Sequence, residues 1–177
     1  MFVVSRKCFK YCFHSVKNVR YFPKPSLCKG ISRSLSSSEV TVEALQGNDE
    51  GVVVIGLNRP SARNALGNIL TTGLMNAVEE IHFNQSARVV ILRSLVPGVF
   101  CAGADLKERI KLTNLEVSAT VATLNALATA IENIPVPTIA AIDGAALGGG
   151  LEITLGCDIR IVSENAKLGL VETKWAI

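Results

Sequence analysis

The chain has 177 residues, the size of one domain with a short additional segment. Its composition, 49% hydrophobic and 19% charged, excludes a disordered polyelectrolyte and a collagen-like protein. The formal charge of +3 combines two unlike parts: residues 1–38 hold eight basic residues and no acid, whereas residues 39–177 hold ten basic residues and all fifteen acids. The larger part, with a net charge of −5, has no electrostatic basis for binding nucleic acid or an anionic membrane.

Residues 1–38 have the composition of a mitochondrial transit peptide, because they are basic, free of acids and rich in serine. Arg6, Lys7 and Lys10 interrupt the only apolar run that a secretory signal would use. We therefore expect processing near residues 32–36 and a folded domain over 39–177 in the mitochondrial matrix. The alternative is a basic tail that stays attached. No stretch has the length and apolarity of a transmembrane helix.

Residues 39–177 alternate between short β-branched runs and stretches with helical periodicity. Such alternation predicts an α/β fold with crossover connections. In chain order, we predict a strand at 52–57, a helix at 68–83, a strand at 89–92, helices at 105–112 and 116–133, a strand at 138–142, a short helix carrying Glu152 and Leu155, and a strand at 158–162.

Several common catalytic classes lack their residues. Beyond residue 38 the only histidine is His82, and Cys101 and Cys157 do not have the spacing of a zinc site or a disulfide framework. There is no GxSxG elbow, and Gly148-Gly149-Gly150-Leu151 lacks both the Lys-Ser/Thr of a phosphate loop and the GxGxxG of a dinucleotide fold.

Two glycine-rich turns and two acids remain as candidates. The turns, at 100–105 and 144–150, are each predicted between a strand and a helix, where free backbone N–H groups bind negative oxygen. Facing one another, they would form an oxyanion hole able to stabilise the enolate of a thioester. Glu152 and Glu172 could bind one water and share proton transfer.

Each of these features also has a structural interpretation. A glycine triplet serves tight turns and close helix packing. Glu152 suits the first turn of a helix, Glu172 suits a surface, and Asp105 suits a helix N-cap. From spacing alone, both interpretations stay open.

The motifs around these residues resemble the enoyl-CoA hydratase/isomerase (crotonase) superfamily. They follow one another in the order typical of that family and cover nearly all of residues 40–177. The matching stretches are 58–60 with 64–66, 100–107, 137–144, 146–152 and 157–160.

The resemblance implies a crotonase-like fold of repeated ββα units and a role for each candidate residue. The N–H groups of Ala104 and Gly149 would form the oxyanion hole, and Glu152 and Glu172 would be the two catalytic acids of a hydratase. The coenzyme A thioester is the substrate, so no cofactor is implied. The residues implied to lie along bound coenzyme A are Ala102, Gly103, Asp105, Lys107 and Gly148.

Two departures from the family pattern bear on partners. An RNA-binding member has a lysine-rich helix where residues 68–83 of this chain contain no Lys or Arg, so we expect no nucleic-acid partner. Family members continue beyond the Glu172 motif into a helical region used for trimer or hexamer assembly, whereas this chain stops at Ile177. We therefore expect an incomplete domain without that region.

Three functions follow as alternatives. The first is hydration of a 2-enoyl-CoA in fatty-acid β-oxidation or branched-chain amino-acid breakdown. The second is a non-catalytic product that binds coenzyme A weakly or interferes with assembly. The third is isomerase or decarboxylase activity on the same scaffold.

Overall fold

The computed structural model describes residues 3–4 and 39–172. Apart from Val3–Val4, the predicted targeting segment lies outside the described residues, as do residues 173–177.

The larger of two sheets has six strands in the order β1-β8-β6-β4-β3-β2. The four central strands are parallel to one another, and the outer strands β1 and β2 run antiparallel to their neighbours. The strands are β1 (Val3–Val4), β2 (Val40–Ala44), β3 (Val52–Leu57), β4 (Val89–Ser94), β6 (Thr138–Ile142) and β8 (Ile159–Val162).

The smaller sheet contains three short parallel strands in the order β5-β7-β9. These strands are β5 (Val99–Cys101), β7 (Ala145–Leu147) and β9 (Leu168–Gly169). Each belongs to a segment that leaves the larger sheet, because β5 follows β4, β7 follows β6 and β9 follows β8.

Four α-helices complete the described fold: α1 (Asn68–Phe83), α2 (Leu106–Arg109), α3 (Asn114–Glu132) and α4 (Gly149–Leu155). Two 3₁₀ helices, at Gly47–Asp49 and Pro60–Ala62, lie on either side of β3. The apolar face of α1 supplies Leu70, Leu74 and Ile81 to the core, where each is at most 2% exposed. Burial of one such side chain contributes about 1.5–3 kcal/mol. The core therefore lies mainly between the larger sheet and α1.

The helical spacing of the apolar residues from Val117 to Ile131 predicts that α3 packs in the core along one face, and the structure differs from this prediction. A capping box between Thr113 and Glu116 starts the helix, but only Leu127 and Ile131 in its second half are buried. Val121, predicted on the same apolar face, is 44% exposed, and Leu115 is 82% exposed. The prediction of a fully packed helix is wrong for its first half, because α1 and α4 bury only side chains near its end.

Most predicted strands of the larger sheet are confirmed, and β3 and β6 have the same bounds as predicted. Helix α1 also has the predicted bounds. Helix α2 is shorter than the predicted 105–112, ending at Arg109. The sequence did not predict the smaller sheet or β2. Strands of two or three residues do not show a periodicity, so β7 falls within the turn predicted at 144–150, and the sequence predicts no element at β9. None of the described helices is long and apolar enough to cross a bilayer.

Candidate active site

All candidate residues follow the three strands of the smaller sheet at one edge. The first turn follows β5, the second turn with Glu152 follows β7, and Glu172 follows β9. Because the strands are parallel, their carboxyl ends meet on the same side, which is where ligands bind in open α/β sheets. The smaller sheet thus brings together residues that are up to 70 positions apart in the chain.

The first turn is shaped by Gly103 and by pairing with Leu66. Gly103 has a φ of +96°, a conformation that favours glycine. The Leu66 N–H donates to the Gly103 carbonyl at 2.7 Å, and the Asp105 N–H donates to the Leu66 carbonyl at 3.3 Å. In this parallel bridge the N–H of the intervening Ala104 points away from Leu66. It has no acceptor among the described residues.

The second turn presents a matching donor at the start of α4. Gly148 has a φ of +50°, and its N–H donates to the Gly169 carbonyl of β9 at 2.8 Å. The N–H of Gly149, the first residue of α4, has no acceptor within the described part of the chain. It is one of the donors that the start of a helix leaves unsatisfied.

The two free donors lie next to each other. A Cβ built on Gly103 would be 3.7 Å from the Gly149 nitrogen, and one built on Gly149 would be 3.9 Å from the Ala104 nitrogen. A Cβ on Gly103 would also lie 2.8 Å from the Leu147 carbonyl oxygen, so the close approach of the two turns depends on the missing side chain at Gly103. Two adjacent, unpaired N–H groups are the donor set of an oxyanion hole.

The two candidate acids lie close to Gly148 and Gly149 of the second turn. A Cβ on Gly148 would collide with the Glu172 carboxylate, and a Cβ on Gly149 would be 3.7 Å from Glu152 Oε2. Glu152 is exposed, and Glu172 is half-buried. The structure therefore brings both carboxylates to the turn that carries one of the free donors. Their catalytic roles stay a prediction.

An open groove of about 440 Å³ extends from Glu152 between α3 and α4. Its lining combines polar, acidic and apolar side chains. The lining residues are Asn125, Ala128, Thr129, Glu132, Glu152, Leu155 and Gly156.

The residues predicted along coenzyme A have different surroundings. Gly103 and Gly148 are buried in the two turns, Ala102 is half-buried with its N–H on the Arg63 carbonyl, and Lys107 is exposed. Asp105 is the N-cap of α2, as one of its sequence interpretations predicted, and accepts from the Lys107 and Glu108 N–H groups. Contacts of these residues with coenzyme A stay a prediction.

The pKa of Asp105 is lowered. Burial by itself would raise this pKa, but the hydrogen bond from the Glu108 N–H, the contact with the Arg59 guanidinium and the bond from the Lys107 N–H outweigh burial. The carboxylate is therefore held in its charged form by the protein around it.

Sequence reasoning assigned no role to the side chains that fix the first turn from behind. Asn64 is fully buried with a φ of +55°; its Oδ1 accepts from the Arg59 N–H, and its Nδ2 donates to Ser94 Oγ and the Phe100 carbonyl. Arg59 forms ion pairs with Glu39, Asp105 and Glu108. The signal was present in Asn58-Arg59-Pro60 and Asn64-Ala65-Leu66, which contributed only to the family resemblance.

The cysteines and the histidine of the described residues are not candidates for catalysis at this edge. Burial raises the pKa of the Cys101 thiol to about 12, and the thiol donates to the Asn64 carbonyl. Cys157 is also buried, and burial raises the pKa of its thiol to about 12. His82 is exposed near the end of α1, as predicted for a surface residue. No group of three or more potential metal ligands occurs within the described ranges.

Comparison with known proteins gives consistent matches. A family model described as enoyl-CoA hydratase/isomerase matches residues 47–177. The crystal structure of an enoyl-CoA hydratase from Bacillus anthracis superposes with a TM-score of 0.74 at 42% identity, covering 78% of this chain and 53% of that chain.

Two mitochondrial relatives are similar in sequence. Methylglutaconyl-CoA hydratase of Homo sapiens is 48% identical over 154 residues, 86% of this chain and 45% of the relative. Enoyl-CoA hydratase domain-containing protein 2 of Mus musculus is 51% identical over 135 residues, 76% of this chain and 46% of the relative. The chain thus spans about half the length of the curated relatives it matches. Residues 59–68 predict similarity to enoyl-CoA hydratase domain-containing protein 2 and residues 171–174 predict similarity to methylglutaconyl-CoA hydratase, and both similarities are confirmed.

Proposed function

Because the chain belongs to the enoyl-CoA hydratase/isomerase family, with the resemblance and the crotonase-like fold confirmed, we propose that it hydrates the double bond of a 2-enoyl-CoA. The observation that carries this proposal is the convergence of two unpaired N–H donors and two carboxylates at one edge of the smaller sheet. Hydration places negative charge on the thioester oxygen, which N–H donors stabilise. It also moves protons at the neighbouring carbons, which carboxylates can take up and deliver.

In the proposed reaction the thioester oxygen accepts hydrogen bonds from the Ala104 and Gly149 N–H groups. Water held by Glu152 and Glu172 then attacks C3, one carboxylate taking its proton while negative charge collects on the thioester oxygen. The other glutamate, which begins the step as a carboxylic acid, then delivers its proton to C2 of the enolate. One water is added, with the hydroxyl at C3 and the hydrogen at C2. Nothing is oxidised or reduced, so we expect no cofactor beyond the coenzyme A carried by the substrate.

The proposed setting follows from the relatives and from residues 1–38. Both mitochondrial relatives carry that compartment in their names, and the basic, acid-free segment suits import to the matrix. We place the reaction in fatty-acid β-oxidation or branched-chain amino-acid breakdown, and we expect the whole protein to form homo-oligomers, a trimer or hexamer. Its partner is the acyl-CoA, with no nucleic acid and no membrane.

The test measures hydration of crotonyl-CoA by the full chain, followed by the loss of the enoyl-thioester absorbance. Glu152→Gln and Glu172→Gln are each expected to lower kcat on the order of 100-fold or more, the usual contribution of general acid–base catalysis. Glu164→Gln, at an exposed loop position, is the matched control and should leave kcat unchanged. Unchanged hydration in Glu152→Gln would rule out the proposed mechanism.

Two further arms separate the alternatives. Conversion of a 3-enoyl-CoA without hydration of a 2-enoyl-CoA would favour isomerase activity on the same scaffold. If neither substrate turns over, thermal unfolding with saturating acyl-CoA decides whether the chain only binds. A ligand that binds the native state alone raises Tm.

A further inference from the structure

Arg59 is the centre of a buried network directly behind the first turn. Its side chain is 14% exposed and contacts three carboxylates: Glu39 at 3.1 Å, Asp105 at 2.8 Å and Glu108 at 3.0 Å. Its Nη1 also donates to the Ala65 carbonyl at 2.8 Å. The mechanism above uses neither Arg59 nor any of these partners as a reacting group.

One branch of the network reaches the residue next to the oxyanion-hole donor. Asp105 follows Ala104 directly in the chain, and its side chain is 8% exposed. Its Oδ1 accepts from two N–H groups of α2, while its Oδ2 meets Arg59. Both oxygens are therefore held by the protein, and the start of α2 cannot shift without breaking a charge-assisted hydrogen bond.

A second branch reaches the strand-like segment that pairs with Ala104. Arg59 holds the carbonyl of Ala65, and the next residue, Leu66, forms both hydrogen bonds that bracket Ala104. The direction of the Ala104 N–H is set by this bracket, because Leu66 engages the groups on either side of it. Arg59 thus contacts Asp105, which follows the donor in the chain, and Ala65, which precedes the residue that pairs with the donor.

A third branch ties the network to α1. Glu108 accepts from Arg59 through Oε1 and from the Asn68 N–H, at the first residue of α1, through Oε2. One guanidinium thereby joins three parts of the chain: the segment that leaves β3, the beginning of α1 and the beginning of α2. The planar fork of arginine suits several carboxylates at once, which the single ammonium of lysine cannot match.

We propose that Arg59 is a positioning residue that fixes the direction of the Ala104 N–H for the developing oxyanion, acting through Asp105 and through Ala65–Leu66. This inference rests on the proposed function, since it assigns the Ala104 N–H to the substrate oxygen. Arg59 does not touch the substrate, so its effect falls on stabilisation of the enolate rather than on capture of coenzyme A.

The test compares binding of acetoacetyl-CoA, whose bound enolate has its own near-ultraviolet absorbance, with binding of coenzyme A alone, and needs no turnover. Arg59→Lys removes the fork, and Asp105→Asn keeps the cap acceptor but removes the ion pair. Glu39→Gln is the matched control, because it removes another half-buried partner of Arg59 that lies in neither branch to Ala104. Cooperative unfolding of each variant is checked first, and either Arg59→Lys or Asp105→Asn is sufficient if the other does not fold.

The expected result is at least a tenfold loss of acetoacetyl-CoA affinity and of the enolate band in Arg59→Lys and Asp105→Asn. In Arg59→Lys, coenzyme A binding should stay within twofold, and Glu39→Gln should keep both affinities within twofold. Equal losses for both ligands, an equal loss in Glu39→Gln, or no loss in any variant would overturn the proposal.

A separate readout distinguishes failure of the proposed function. If the wild-type chain binds acetoacetyl-CoA no better than coenzyme A, the oxyanion-hole assignment fails. The Arg59 inference is then decided by the ¹⁵N–¹H signal of Ala104 in the ligand-free protein. A signal that moves in Arg59→Lys but not in Glu39→Gln supports positioning, and a signal unmoved in both overturns it.

Discussion

The turn around Ala104 is held by charged and polar side chains, whereas the turn around Gly149 is held by backbone pairing. Behind the first turn lie the fully buried Asn64 and the Arg59 ion pairs. The second turn relies on hydrogen bonds to β9 and on glycines that let carboxylates approach. The two turns therefore differ in what they supply. The turn around Ala104 supplies a fixed donor, and the turn around Gly149 supplies a donor together with both candidate acids.

The two turns also differ in how far their carboxylates are exposed to solvent. Asp105, beside the first donor, is 9% exposed, whereas Glu152 is exposed to the open groove between α3 and α4. A preorganised donor loses little by being buried, since it must not move during the reaction. Carboxylates that exchange protons with water need access to it.

Removing the Asn64 side chain is expected to have the largest effect on stability. Asn64→Ala removes three hydrogen bonds, two of them to buried partners, and places alanine at a φ of +55°. We expect the free energy of unfolding to fall by about 3–5 kcal/mol. Chemical denaturation measures it, with Asn76→Ala on the exposed face of α1 as the control. A loss as small as that of the control would mean that the first turn does not depend on this anchor.

The contact between the two turns is tested by Gly103→Ala against Gly98→Ala. Both glycines have positive φ, but a Cβ on Gly98 meets nothing within 4 Å, whereas one on Gly103 lies 2.8 Å from the Leu147 carbonyl oxygen. We expect a loss of about 1 kcal/mol for Gly98→Ala and about 2–4 kcal/mol for Gly103→Ala. Only Gly103→Ala should abolish the rise of Tm with acyl-CoA. Equal losses of stability and of ligand response would contradict the close approach of the turns.

Acid is expected to weaken the first turn selectively, with a smaller effect. The pKa of Asp105 is lowered in the folded protein, so its contribution to stability is complete above its unfolded pKa of about 3.9 and is lost as pH falls through the lower folded value. The stability difference between the wild type and Asp105→Asn should therefore shrink below about pH 4. Urea unfolding across this range measures it, with the exposed Asn76→Ala, which removes no titratable group, as the control. A constant difference for Asp105→Asn would show that its ion pair contributes nothing.

Much of the architecture was accessible from local patterns. Continuous β-branched runs predicted β3 and β6, and helical periodicity predicted α1, because a long buried element must repeat its apolar positions. The first half of α3 shows the limit of this reasoning. Its apolar residues have the right spacing, but no described element covers them.

The candidate site was predicted in its residues but not in its assembly. The glycines of the two turns and the two glutamates stand out in the sequence, and the family motifs supplied their expected roles. Arg59 and Asn64 did not stand out as functional, because an arginine and an asparagine between a strand and a helix are ordinary loop residues. Their importance depends on partners such as Asp105 and Phe100, which lie more than 30 positions further along the chain.

Composition, local periodicity and short motifs were enough to predict the α/β class, the family, the charge division at residue 38 and the candidate donors and acids. The pairing of β5, β7 and β9 into a second sheet, whose carboxyl edge gathers those residues, became visible only in the folded chain. Strands of two or three residues have no stable structure of their own and form through pairing with one another. The direction of the Ala104 N–H likewise comes from its bridge to Leu66, a contact that no local pattern encodes.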